Sequence, residues 1–380
     1  MASFNDTVDS LRRRFQQANQ PLPPVTLGAI NRDGILPTSF ILSLSTAYLT
    51  LTPCNPGSFH YAKSFGEQAD NPTDNDTLYW LASATKFITT IAVMQCVERG
   101  QLDLTEDISR VLPEFKDPQI LTGYNENDDA IFKPATKTIT LRQAEKFPHQ
   151  FLVFEPGEQW MYSPGIDWAG IMVERITSMK LGEYMQRYIF DVVSVKDVTF
   201  HPEQREDLRA RKAKTWELGS QGLEEKPGPP FPGIIEGDFG GGGLHATVND
   251  LLIIYQGVLL GKLLQPETVK EMFQPQLENI KGLDKPHEYS TGYLNSIWNA
   301  VPAEVPVNFG IGGLINTETV PKGRGVHSLT WSGYPNCYWW MDINNGIAGV
   351  YLSQLIPSGD PNSIELLTEF EKFVYSSLES

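Results

Sequence analysis

Apolar residues at Phe4, Val8, Leu11 and Phe15 recur at helical spacing, so the chain is expected to open with an amphipathic helix. Pro21, Pro23 and Pro24 end it, because proline fixes φ and donates no backbone hydrogen bond. Val25–Ile30 and His60–Phe65 read as strands, the second closed by Gly66. Between them lies a long Ser/Thr/Leu-rich stretch, residues 34–57, with no clean period, and residues 68–77 read as a polar loop. From Leu81 to Glu98 the pattern is helical again, with Gly100 as the stop. Phe87, Ile88, Ile91, Ala92, Met94 and Val97 cover nearly its whole circumference, which predicts burial on most sides. Asp167–Thr177 and Leu181–Phe190 read as two further helices, and the Gly- and Pro-rich residues 217–240 as a loop. Gly240–Gly243 then leads to Thr247, the expected N-cap of a helix to about Leu260. Val326–Trp331, Cys337–Ile343 and Ile347–Leu352 read as neighbouring strands, the last two joined by the turn signal Asn344-Asn345-Gly346. Ile364, Leu367, Phe370 and Val374 predict a closing amphipathic helix after Pro361.

Strands near both ends and helices in the middle define an α+β layout, an antiparallel sheet flanked by N- and C-terminal helices plus a mostly helical lobe. Residues 1–80 and 240–380 are expected to form the sheet part and 81–239 the helical part, within one catalytic unit spanning 1–380. Composition narrows the function. With 46 Asp+Glu against 30 Lys+Arg, the net charge of −16 repels nucleic acid and anionic lipid, so neither is an expected partner. The three cysteines, Cys54, Cys96 and Cys337, have no C-x-x-C spacing, which argues against a disulfide framework and a structural zinc site. The histidines form no H-x-x-x-H pattern, so no metal and no cofactor is expected. The first residues lack an apolar signal-peptide core, and Phe40–Thr52 falls short of the ~20 residues of a spanning helix; the expected location is the cytoplasm.

The sharpest chemical signal is Ser83-Ala84-Thr85-Lys86 at the start of the buried helix. Positions i and i+3 share a helix face, so hydroxyl and amine can meet. Burial strips water from the lysine and favours the neutral amine, which can relieve a serine hydroxyl of its proton. Such a spacing arises by chance about once in a chain this long, so the pair alone leaves open a capping serine beside a solvated lysine.

The surroundings add to the pair. Leu81–Ile91, Glu98–Ile108, Pro156-Gly-Glu-Gln-Trp-Met-Tyr162-Ser163, Gly241–Leu251 and Trp331-Ser332-Gly333 follow one another in the order of the motifs of the serine β-lactamase-like family, which the chain resembles from about residue 60 onward. That family includes class C β-lactamases, carboxypeptidases, esterases and acyltransferases. Asp167–Gly170, Phe309–Gly313, Ser328–Thr330, Pro335-Asn336 and Gln354–Asp360 resemble its branch of fungal lovastatin-biosynthesis transesterases, which move an acyl group from a carrier-protein thioester to an alcohol. The resemblance implies a β-lactamase/transpeptidase-like fold, Ser83 as the acylated nucleophile, Lys86 as holder of its proton and Tyr162 as general base. It also implies an oxyanion hole from the backbone N–H groups of Ser83 and Tyr334, and substrate contacts from Trp331, Ser332 and Gly333. The expected partners are a small-molecule alcohol as acyl acceptor, with an acyl-carrier protein or acyl thioester as donor. A carboxylesterase of the same family is the alternative, then a β-lactamase or peptidase, then a non-catalytic relative.

Departures from the family matter as much. Trp331 stands where many members carry the lysine that attracts a substrate carboxylate, and Pro164 where they carry an asparagine that pairs with a peptide or β-lactam amide. Both changes favour an ester or thioester donor. His245 and His327 flank motifs and are expected to be packing or rim residues. Gly34–Cys54 resembles an insertion, and the helical cap that members place after the equivalent of Arg142 is missing.

Overall fold

The computed structural model describes residues 4–34, 58–66, 73–141, 151–220, 222–228 and 237–378. The insertion expected at Gly34–Cys54, apart from Gly34 itself, and the junction after Arg142 lie outside the described residues.

Seven strands form the main sheet: β1 (Val25–Asn31), β2 (His60–Phe65), β3 (Val307–Gly310), β4 (Gly313–Asn316), β5 (Leu329–Gly333), β6 (Cys337–Asp342) and β7 (Ile347–Leu352). Their order is β3-β4-β5-β6-β7-β1-β2, with every neighbouring pair antiparallel. The helices that position the site are α1 (Phe4–Gln17), α2 (Thr85–Glu98), α3 (Gly165–Thr177), α4 (Val248–Leu259), α5 (Thr291–Trp298) and α6 (Pro361–Leu378).

Strands β1, β5, β6 and β7 are buried at every position, because helices cover both faces of the sheet. Period-two alternation sorts their side chains. Tyr338, Trp340 and Tyr351 meet Val8 and Phe15 of α1 and Leu366 and Phe370 of α6. Trp339, Met341 and Val350 point the other way, into a larger core with Ile88 and Ile91 of α2 and Leu251 and Tyr255 of α4. Each side chain of this size stabilises the fold by roughly 1.5–3 kcal/mol through burial. Gly349, paired with Trp340 across β6 and β7, makes room for the indole, since a Cβ there would lie 2.1 Å from the ring. The terminal helices therefore cover one face and the active-site helix packs on the other, as the α+β reading requires.

Thr247 caps α4, its Oγ1 accepting the Asp250 N–H at 3.2 Å. The third predicted strand starts later than its apolar pattern suggests, at Leu329, because His327 takes a φ of +61° and breaks the extended run. Residues 217–240 are not simply a loop: Thr215–Gly219 pairs with Gly222–Lys226 as a hairpin, whose charged residues hide the alternation. A second hairpin, Gln119–Tyr124 with Ala130–Pro134, carries no buried-strand signature because Ala130–Pro134 is exposed throughout. No helix among the described residues is long and apolar enough to cross a membrane. No cluster of metal-binding side chains is found among them either.

One ion pair ties α6 to the loop before β5. Arg324, 1% exposed, donates to both carboxylate oxygens of Glu371, at 2.9 and 2.5 Å, and to the Asn299 carbonyl. Burial pushes the Glu371 carboxyl up, and the guanidinium opposes this. Arg324→Met alone should cost about 3–5 kcal/mol, since it strands a buried carboxylate. The double variant Arg324→Met/Glu371→Leu should recover most of that loss. Urea unfolding of the three proteins checks this, and a single variant as stable as the parent would contradict it.

Candidate active site

Ser83 sits in a 3-10 turn, Ala82–Ala84, that runs directly into α2. The turn is held under strain. Ala82 has φ +44°, a left-handed conformation that costs a residue with a Cβ of order 1 kcal/mol or more. Two contacts over-determine it. The Leu81 N–H donates to the Leu244 carbonyl at 2.9 Å, and the Leu81 carbonyl lies so close to Gly333 that a Cβ there would be 2.1 Å from it. The serine is thus wedged between the end of β5 and the glycine-rich segment.

Lys86, one helical turn on, donates from Nζ to Ser83 Oγ at 3.2 Å and to the Gly241 carbonyl at 2.6 Å. Tyr162 reaches the same hydroxyl from the loop before α3, with OH and Oγ 2.5 Å apart. Its ring lies 5.1 Å from Lys86 Nζ, and the residue is 39% exposed, so its oxygen faces the cavity. Ser83, Lys86 and Tyr162 therefore meet at one point.

The glycine segment is clamped from several sides. Asp167, in the first turn of α3, accepts the Gly241 N–H at 2.6 Å, so Lys86 and Asp167 grip opposite ends of one residue. Burial raises the Asp167 pKa, and Lys86 pulls it back down. Thr89 donates to the Gly240 carbonyl, Trp80 to that of Gly242, and Thr85 Oγ1 accepts the Leu244 N–H. Asp167 opens a motif match in the sequence but carries no site role there, because an acidic residue in a first helical turn is ordinary dipole compensation. Its partner is 74 residues away.

A cavity of about 830 Å³ opens in front of Ser83, lined also by Lys86, Tyr162, Pro164, Asp167 and Tyr334. Trp80, Phe200, Pro202 and Phe239 give it apolar walls, and His201, Glu203, Lys212 and His245 add polar groups. His245 is buried, and desolvation together with nearby Lys212 pushes its pKa down to about 3. It is therefore neutral at ordinary pH. His327 does not line the cavity.

The Trp331-Ser332-Gly333 triplet is placed differently from the serine, lysine and tyrosine. Trp331 is 3% exposed and packs behind the site, its ring 5.5 Å from Tyr162 and 5.4 Å from Phe309. Ser332 donates its hydroxyl to the Ser296 carbonyl of α5 at 2.5 Å, and Gly333 is closed off by Leu81. None of the three lines the cavity, whereas Tyr334, the next residue, does. Sheet alternation explains the arrangement, since a strand flanked by structure on both faces shows its side chains to the core and meets the cavity only at its end.

A serine held against a lysine and a phenol, on a helix packed under an antiparallel sheet, defines the class. The chain belongs to the Beta-lactamase family, whose model matches residues 54–366. Among curated relatives, it is 33% identical to a lovastatin esterase of Penicillium rubens, with 79% of this chain and 86% of the relative covered. It is 31% identical to a monacolin J acid methylbutanoyltransferase of Aspergillus terreus, with 85% and 90% covered. Among solved structures, a simvastatin synthase mutant from Aspergillus terreus superposes with a TM-score of 0.85 at 29% identity, covering 100% of this chain and 98% of that one.

Proposed function

We propose that the protein is an acyltransferase that moves an acyl group from a thioester or ester donor, through a Ser83 acyl-enzyme, to the alcohol of a small secondary metabolite. The observation that carries this reading is the meeting of Ser83 Oγ with Tyr162 OH and Lys86 Nζ at the wall of a large, mainly apolar cavity. Ser83 Oγ attacks the donor carbonyl as its proton passes to the Tyr162 oxygen, whose negative charge the adjacent Lys86 stabilises. The backbone N–H groups of Ser83 and Tyr334 hold the oxyanion. Collapse of the tetrahedral intermediate breaks the bond to the leaving thiolate or alkoxide, which takes the proton back from Tyr162. The acceptor alcohol then repeats the cycle in reverse: it gives its proton to Tyr162 as its oxygen attacks the acyl carbonyl, and the bond to Ser83 Oγ breaks as Tyr162 returns that proton to Oγ. A methylbutanoyltransferase among its relatives and the match to the structure of a simvastatin synthase support transfer. An acyl-carrier protein is the donor partner that the thioester chemistry suggests.

Hydrolysis is the second reading, favoured by the lovastatin esterase relative. The two differ only in whether alcohol or water reaches the acyl carbonyl, and holding an alcohol there supplies several kcal/mol of the barrier. Product partitioning at a fixed acyl thioester, with the acceptor alcohol varied, decides between them. Ester should dominate with a bulky, rigid alcohol, and more so than with methanol or glycerol. Acid as the sole product with every acceptor would make the enzyme an esterase.

A β-lactamase is disfavoured because Trp331 offers no cation and Pro164 no amide at the cavity. Nitrocefin turnover should therefore fall far below the rate on short- or medium-chain p-nitrophenyl esters. Comparable rates would restore the β-lactamase reading.

A further inference from the structure

Most of the charged groups lining the cavity have partners inside the protein. Lys86 is bound to Ser83 and Gly241, Asp167 to the Gly241 N–H, and Glu203 to His201 Nδ1 at 3.2 Å. Lys212 differs. It lines the same cavity, yet its Nζ makes no hydrogen bond or ion pair with any described residue. Burial disfavours its charged form, and the carboxylate of Glu203 offsets this only from a distance.

Its position is fixed. The Leu78 N–H donates to the Arg211 carbonyl and the Ala213 N–H to the Leu78 carbonyl, each at 2.9 Å, so Lys212 is bridged to the segment that continues through Tyr79 and Trp80 into the Ser83 turn. Its charge reaches inward, since it helps to keep buried His245 neutral. A cation that has lost part of its water without gaining an acceptor among the described residues, facing a cavity walled by Phe200 and Phe239, is matched by an anionic group on the molecule that fills the cavity.

We propose that Lys212 anchors a carboxylate carried by the substrate, so that the enzyme selects acidic substrates over neutral analogues of the same shape. The anchor comes from a different element than β5, where Trp331 carries no charge. The proposal takes the cavity in front of Ser83 as the substrate site, as in the function above, but it can be read by binding without turnover.

The test uses the full chain carrying Ser83→Ala, so that bound substrates stay intact, and isothermal titration calorimetry. One arm compares medium-chain ω-hydroxyalkanoates with their methyl esters, representing the acceptor. The other compares adipoyl with hexanoyl thioesters of N-acetylcysteamine, representing the donor. The acid should bind roughly tenfold or more tightly than its neutral analogue in at least one arm, the size expected of a charge-assisted hydrogen bond. The arm that shows it identifies the substrate bearing the carboxylate. Adding Lys212→Met or Lys212→Gln should abolish the preference, and Lys212→Arg should keep most of it. No preference in either arm, or a preference that survives in a folded Met or Gln variant, overturns the proposal. A parent enzyme that never acylates Ser83 would overturn the catalytic reading instead, leaving the binding result to judge Lys212.

Discussion

Ser83→Ala should lower acylation by roughly a millionfold while the protein stays folded. The size follows from the behaviour of nucleophiles in serine enzymes, where loss of the attacking group removes nearly all that the assembled site contributes. The fold survives because Ser83 makes no side-chain cap to the turn or to α2. What is lost is its hydrogen bonding to Tyr162 and Lys86, worth about 1 kcal/mol per bond. Intact-protein mass spectrometry after exposure to acyl thioesters and p-nitrophenyl esters reads the adduct directly, and a thermal melt checks the fold. An alanine protein that gains the acyl mass at the parental rate would place the nucleophile elsewhere.

Lys86→Ala and Tyr162→Phe should each lower turnover by about 10²–10⁴-fold, the range of positioned proton transfer. The double variant should be little worse than the poorer single one. The geometry gives the reason: both side chains converge on one hydroxyl, and the lysine lies against the tyrosine ring, so removing either disables the same step. The cycle is measured as kcat for one thioester donor across the four proteins. Losses that multiply would show that the two groups act independently. Lys86→Ala also deprives Asp167 of the charge that opposes its desolvation, so each variant's melting temperature must accompany its rate.

The sequence carried much of this arrangement, for identifiable reasons. Helices α1, α2, α4 and α6 announce themselves because each buries one face or nearly all of its surface, which leaves a periodic record. Strands β6 and β7 stand out because they are apolar but for the terminal Asp342 and bracket an Asn-Asn-Gly turn, closed in the structure by Asp342 accepting the Asn345 N–H. The exposed Ala130–Pro134 strand and the charged 215–226 hairpin leave no such record. Ser83 and Lys86 are legible because one helical turn brings them together. Tyr162 became visible only through resemblance, since nothing local says that a phenol 79 residues away touches Ser83. Asp167 and Lys212 were missed for the same reason: their roles come from tertiary neighbours. The Trp331 triplet shows the converse, where a motif's position on a strand was legible but not which of its atoms meet the cavity.

The cavity's lining is unevenly distributed along the chain. Phe200, His201, Pro202, Glu203, Lys212 and Phe239 all fall within one stretch of 40 residues, whereas Ser83, Lys86, Tyr162, Asp167 and Tyr334 lie outside it. The bonds that hold the reacting side chains in place run through α2, α3 and the glycine segment, with β5 backing the turn. These six side chains thus form a set separate from the reacting groups. A library confined to those positions could retune which molecules are accepted without disturbing proton transfer, and natural divergence of substrate range in such enzymes has the same short route open to it.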